Sequence, residues 1–374
     1  KTPVAEVNHV NQTTGEDATL TRVNSSDLTT VKVPDAAQLG ETVNGSSADN
    51  EDKPTLDDNL NTVASFVFVD LNSESNIFPA PVSGIIYVNP TTGNDSNSGS
   101  MSSPYRTLQK ALKAVQPGET IKLSSGIYEE ANKTVRAGTA SAPIIIEPDD
   151  GAKPILDGKS NTLNAIQINH SFYIVRNLEI RNAKCGVKIE GVTGVVLESN
   201  LIHDVNHDGV HLRYSSQGNI VKNNTIWATG LASTFNGEGI YVGTAPEHRY
   251  MNGGQPDATS YNIIIGNQIH DVMEGIDIKE DASFNMVAGN IIYNATDPKS
   301  GGINVRADHN YFFGNVSYNN AGAGFRFGGD IAYSPEFGDS YHYGVENVLR
   351  DNISRDNAGA GYKFMNGPQD VASS

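Results

Sequence analysis

The sequence predicts an all-β chain folded as a right-handed parallel β-helix solenoid, with an N-terminal capping helix and a polar N-terminal extension. Three observations predict it. An Asn flanked by apolar residues recurs at Asn177, Asn200, Asn224, Asn267, Asn290, Asn315 and Asn352, at a base interval of roughly 23 to 25 residues with two longer gaps. A Gly-apolar-x-apolar-x pentad recurs in step with it, and a short amphipathic stretch precedes the first clear repeat. A coil of this size cannot bury its apolar side alone, and stacking coils removes that difficulty.

In chain order, residues 1–63 are rich in Asn, Asp, Thr and Ser with no period, which reads as a polar linker or extended arm. The β-helix is assigned to residues 64–374. Ala64–Asp70, Ile85–Val88, Thr120–Leu123 and Ile144–Ile146 read as strands. Between them, Leu108, Ala111, Leu112 and Val115 share one face of a helix that Pro117-Gly118 ends. Such a helix covers the open end of the tube, whose strand edges would otherwise be exposed. The pentads then follow: Gly186–Glu190, Gly209–Arg213, Gly239–Gly243, Gly275–Lys279, Gly302–Arg306, Gly324–Gly328 and Gly361–Met365. Alternation within each is that of a strand with one face inward. The recurring Asn suits a turn in which side-chain amides hydrogen-bond along the stack.

Composition agrees with a thin-cored tube: of 374 residues, 37% are hydrophobic and 7% aromatic. A formal net charge of −17 argues against nucleic acid, which needs a broad basic surface. It leaves an acidic polysaccharide open, because a local basic strip can operate on an acidic body. No run approaches the ~18 apolar residues of a membrane span. The single cysteine, Cys185, excludes an intrachain disulfide and reads as a buried, inert thiol. Asn-x-Ser/Thr sequons recur from Asn11 to Asn352, which points to a secreted or cell-surface glycoprotein. An arm such as 1–63 can add to a neighbour's open end, so self-assembly through it is a further expectation.

In each pentad the two apolar residues point inward and the two x residues outward, so stacking produces two columns. The first is Lys188, His211, Tyr241, Asp277, Asn304, Arg326 and Lys363; the second is Glu190, Arg213, Gly243, Lys279, Arg306, Gly328 and Met365. Adjacent strands are ~4.8 Å apart, so Lys279 and Arg306 stand side by side, with Arg326 one coil further. Stacked cations invite an anion such as a sugar carboxylate, and a lysine crowded by arginine has a lowered pKa, which suits a base. On this reading Lys279, Arg306, Arg326, His211 and Tyr241 are the candidate catalytic residues. Arg213 and Asn304 are candidate substrate contacts. Two long insertions, about 244–260 and 330–343, leave the coil beside the same face. They bring His248, Arg249 and Tyr250 as substrate contacts, and Tyr333, Tyr341 and His342 as cleft walls. Asp208 and Glu274, each just before a repeat Gly, fit turns. Glu274 and Asp277 are also the candidate metal ligands, with calcium as the candidate cofactor.

The opening Tyr87-Val88-Asn89-Pro90, Gly93-Asn94-Asp95, Ser103–Ala111 and Pro117–Ile121 resembles that of the right-handed β-helix polysaccharide lyases, including family nine pectate lyases. The resemblance implies β-elimination on a uronic-acid polysaccharide. In the chondroitinase B and alginate lyase group a Lys base and an Arg act from successive coils beside calcium-binding acids. Lys279 and Arg306 match by role and coil order, whereas alignment through Asn285 puts Asp281 at the family Lys. In family nine the catalytic Lys lies in a Gly-Phe-Lys-Leu-Gly-Gly strand; Gly324-Phe325-Arg326-Phe327-Gly328-Gly329 carries Arg326 there. That family's calcium cluster is partly matched by Glu274 and Asp277. A C5-epimerase shares the first chemical step. A glycoside hydrolase would need a carboxylate pair, of which the columns offer Asp277, with Glu238 or Glu274 beside it. A non-catalytic glycan-binding or fibre protein is the alternative from another class.

Overall fold

The structure, a computed structural model, describes residues 84–232, 237–328, 344–365 and 369–372. The expected arm 1–63, its proposed role in self-assembly, the strand at 64–70 and the insertion residues Tyr333, Tyr341 and His342 lie outside these residues.

Among the described residues the strands form three parallel sheets of eleven, nine and nine strands. Each full coil gives one strand to each sheet. One coil, for example, runs Val196–Glu198 in the first sheet, Leu201–His203 in the third and Val210–Arg213 in the second. This is the expected solenoid. Val210, Leu212, Ile240, Val242, Ile276, Ile278, Ile303, Val305, Phe325 and Phe327 are all 0% exposed and join one continuous core.

The repeat glycine has a steric cause. A Cβ at Gly239, Gly302 or Gly324 would come within 2.8 Å of the carbonyl oxygen of the next coil's glycine. Only a residue without a side chain allows the backbones to stack this closely.

The Asn turns form the expected ladder, with one shift. Asn200, Asn224, Asn267, Asn290, Asn315 and Asn352 are linked amide to amide at 2.9–3.0 Å, each Nδ2 donating to the next Oδ1. Asn177 is not part of it: its neighbour Leu178 occupies the ladder position and donates its N–H to Asn200. Asn177 instead takes a left-handed turn, φ 59°. A second ladder, Asn219, Asn262, Asn285, Asn310 and Asn347, was not read from the sequence.

The helix forms at Leu108–Ala114, with Thr107 accepting a capping hydrogen bond from Lys110 N. Its Leu108, Ala111 and Leu112 enter the core, and it packs beside the first strands of two sheets, Ile85–Val88 and Asn132–Lys133. Cys185 is buried, and burial pushes its thiol up to about 12, as expected for an inert thiol. On the outer face of the third sheet His203, Trp227, His270, Tyr293 and Tyr318 stack ring on ring over five coils, which gives His203 and His270 a structural place.

Candidate functional site

The outward residues of the second sheet stand in the expected register: Lys188 beside His211, then Tyr241, Asp277, Asn304, Arg326 and Lys363. The second column continues by backbone hydrogen bonds, from Gly243 N to Leu212 O, Lys279 N to Val242 O, Arg306 N to Ile278 O and Gly328 N to Val305 O, all at 2.8–2.9 Å. Side chains of the middle coils therefore converge.

They converge into a buried ionic cluster rather than an open strip. Asp277 is 0% and Lys279 only 7% exposed. Asp277 Oδ2 accepts from Lys279 Nζ at 2.5 Å and from Arg306 Nη2 at 3.0 Å. Arg306 also faces Glu280 at 3.6 Å, and Lys279 Nζ lies 4.5 Å from the centre of the Tyr241 ring. Burial acts to raise the Asp277 pKa, but Arg306 and Lys279 overcome it and hold the carboxylate below its usual value.

Two expectations from the sequence are corrected here. Lys279 does not have a lowered pKa. Burial and Arg306 do push it down, but Asp277, Tyr241 and Glu238 outweigh them and raise it above the ordinary lysine value. The arginine one coil away lowers the lysine's proton affinity, but the aspartate two residues back on the same face raises it. Nor does Lys279 face open solvent. The insertion after Val242 is pinned beside it: Arg249, on the 3₁₀ turn Pro246–Asn252, binds Asp281 through two bonds of 2.6 and 2.9 Å. Buried Asp257 accepts from Tyr214 N and Ser215 N and from the hydroxyl of Thr259.

His211 stacks on Tyr241 at 4.2 Å. Its Nε2 is 3.2 Å from Gly243 O, and its Nδ1 is 3.1 Å from Asp208 Oδ2. A carbonyl only accepts, so Nε2 carries the proton, and in the neutral ring Nδ1 accepts from the Asp208 carboxyl, which burial pushes towards its protonated form. Burial, then Arg213 and Lys188, push the imidazole pKa down to about 3, so it is neutral. Gly243 makes the contact feasible by taking φ 88°, a conformation that strains other residues. Tyr241 Oη accepts from Ala245 N at 3.4 Å, and burial raises its pKa.

Glu274 is a strand residue rather than the turn residue expected, whereas Asp208 keeps its place in the turn before Val210. Asp208 is buried against His211, and Glu274 lies in the strand Glu274–Ile278, in register with Glu238. Glu238, Glu274 and Asp277 each offer an oxygen within 4.8 Å of the others, the spacing of a metal-binding group. Glu274 also accepts from Asn304 Nδ2 at 2.9 Å. Burial first, then neighbouring acids, push Glu238 and Glu274 up to about 8. Glu238 was considered from the sequence only as a marginal hydrolase acid. The signal for its place was an acid before the repeat Gly in three successive pentads, Asp208, Glu238 and Glu274.

The other candidates spread out. Arg213 pairs with Glu190, its Nε 2.7 Å away, and stacks on Tyr214, in a separate group towards the N-terminal coils. Arg326 is half-buried and stands beside Asn304 in register. His248 meets Tyr250 edge to face, and Tyr250 is 69% exposed at the rim.

Comparison with known proteins agrees with this architecture. Residues 86–240 match the family model described as Pel9A-like, right handed beta helix region, and residues 164–330 match the right handed beta helix region. Together the two matches cover residues 86–330 and show a right-handed parallel β-helix similar to that of Pel9A-like proteins. A stretch of 85 residues is 34% identical to the pectate lyase PEL9 of Emericella nidulans; it spans 22% of this chain and 20% of that relative's length. Among solved structures, the alginate lyase from Paenibacillus sp. str. FPU-7 superposes with TM-score 0.58 at 20% identity, over 78% of this chain and 99% of that one. Pectate lyase Pel9A gives TM-score 0.56 at 16% identity, over 76% and 80% of the two chains. A rhamnogalacturonan lyase gives 0.52 at 14% identity, over 73% and 75%. At these identities the structural matches show the fold. Among the described residues no helix is long and apolar enough to cross a membrane.

Proposed function

We propose that this protein cleaves a uronic-acid polysaccharide by β-elimination at the cluster of Lys279, Arg306 and Tyr241. The observation that carries the reading is the convergence of two cations on Asp277, with the Lys279 ammonium 4.5 Å from the Tyr241 ring centre, on the outward column of a β-helix. β-Elimination needs this set: a cation to hold the sugar carboxylate, a base for the proton on the carbon next to it, and a donor for the leaving oxygen.

Arg306, with 23% of its side chain exposed, holds the substrate carboxylate. Lys279 takes the proton on the carbon α to that carboxylate. The C–H electrons form the C=C bond, the C–O bond to the next sugar breaks, and the Tyr241 hydroxyl protonates the departing oxygen. To act so, Lys279 must first lose its own proton to solvent and give up its contact with Asp277. Neutral His211 supports the Tyr241 ring from behind. Arg326 is the alternative base suggested by the family nine strand, and Asn304, Arg213, His248, Arg249 and Tyr250 are assigned to binding along the face. Glu238, Glu274 and Asp277 would hold calcium; buried Asp277 Oδ1 and Asn304 Oδ1, which have no hydrogen-bond partner, fit an oxygen-binding cation. When bound, calcium would supply positive charge to neutralise a carboxylate. A polymer substrate of this kind places the protein outside the cell, secreted or on its surface.

Product mass tests the reaction class. Elimination splits the chain with no mass added, whereas a hydrolase adds one water to each cleavage. Products carrying added water, or a C5-inverted polymer of unchanged length, would overturn the proposal.

A further inference from the structure

The acidic cluster contains more acceptors than its cations satisfy. Lys279 Nζ and Arg306 Nη2 both use Asp277 Oδ2, while Asp277 Oδ1 and Asn304 Oδ1 are buried and have no hydrogen-bond partner. Glu238 and Glu274 stand in register on adjacent strands, and Lys279 Nζ also reaches to within 3.9 Å of Glu238. The ammonium thus spans two of the three carboxylates whose oxygens lie within 4.8 Å of one another.

We infer that the Lys279 ammonium and a divalent cation are mutually exclusive occupants of this cluster, so that Lys279 is a tethered counter-ion which a metal must displace. The reason is geometric. A calcium ion binds oxygens at about 2.3–2.6 Å, so an ion bridging Asp277 and Glu238 would take the ammonium's place between them. A monovalent and a divalent cation in that space would repel strongly, because the surroundings are buried and screening is weak. The flexible four-carbon stem of lysine allows the ammonium to leave without moving the strand, whereas Arg306 keeps its second partner, Glu280. Within the reaction proposed above, displacement would separate Lys279 from Asp277; the competition itself stands on the cluster alone and involves no polysaccharide.

The test is calcium titration by calorimetry on the full chain without substrate, comparing wild type with Lys279→Met. Removing an internal competitor raises apparent affinity by the fraction of sites it had blocked, so the variant should bind calcium about ten-fold more tightly or better. Its thermal midpoint should also rise more with calcium than that of the wild type. Adding Asp277→Asn should abolish the gain. Equal affinity in wild type and variant, or no binding by either, would overturn the inference. Should Lys279→Met fail to fold, Lys279→Gln, which keeps a donor for Asp277 without the charge, is judged by the same criterion.

Discussion

Lys279 Nζ lies 2.5 Å from Asp277 Oδ2, two residues earlier on the same outward face, and Arg306 completes the contact from the next coil at 3.0 Å. The aspartate therefore sets the proton affinity of the proposed base. Turnover should rise with pH and still be rising above the ordinary lysine range, since the Lys279 pKa is raised. Asp277→Asn removes the main group raising it and leaves burial and Arg306 to lower it. The rising limb of the kcat–pH profile should then move down by about 1 to 3 units. An unmoved limb would remove Lys279 from the role of base.

Lys279→Ala should lower kcat by roughly two to four orders of magnitude and weaken binding far less. Arg306→Ala should harm both kcat and KM, because it holds the carboxylate throughout. Burial adds a second effect. Deleting one partner of a buried ion pair commonly costs about 3–5 kcal/mol, and Arg306 remains on Asp277, so Lys279→Ala should lose stability at or below the lower end of that range. Denaturant unfolding measures it. Arg326→Ala is the control: if it abolishes turnover while Lys279→Ala does not, the family nine strand was the better guide.

Stability should depend on pH through two opposing groups. His211 is neutral in the fold down to about 3 but protonates near 6.5 when unfolded, so its contribution is present above 6.5 and is lost as pH falls towards 3. Glu238 and Glu274 are raised from 4.5 to about 8, so their contribution is present below 4.5 and is lost as pH rises through 8. The thermal midpoint should peak in the mildly acidic range. Glu238→Gln should flatten the alkaline side and leave the acid side in place.

The Asn ladder should matter more than its polarity suggests. Asn290 donates to Ile264 O and Asn315 Oδ1 and accepts from Asn267. Asn290→Ala leaves several buried groups unpaired, at about 1–3 kcal/mol each, so a loss of more than 3 kcal/mol in denaturant unfolding is expected. A loss under 1 kcal/mol would show that the ladder contributes little.

The fold was legible because its signals are periodic. The Gly pentads gave the inward residues correctly down to Phe325 and Phe327, and Leu108, Ala111 and Leu112 gave the helix. The register of the first column, His211 to Lys363, followed from the same repeat. The second Asn ladder was equally periodic but was masked by the first, and Asn177 was misread because it lies one residue from the ladder position. Lost above all was what side chains do once columns are folded. Asp277 and Lys279 were read as separate outward residues, although residues two apart share a face and a long lysine can turn back to its neighbour. Arg249 on Asp281 links an insertion to a coil 32 residues away, and no spacing signals such a contact.

The most direct measurement is ultraviolet absorbance during incubation with alginate, pectate and chondroitin, using wild type, Lys279→Ala and Arg306→Ala. Elimination creates an unsaturated uronate that absorbs where the intact polymer does not. Absorbance should rise with at least one of these polymers for the wild type and should be nearly absent for both variants. Polymer binding by the wild type with no rise on any uronate polymer would contradict the account and leave a glycan-binding protein in its place.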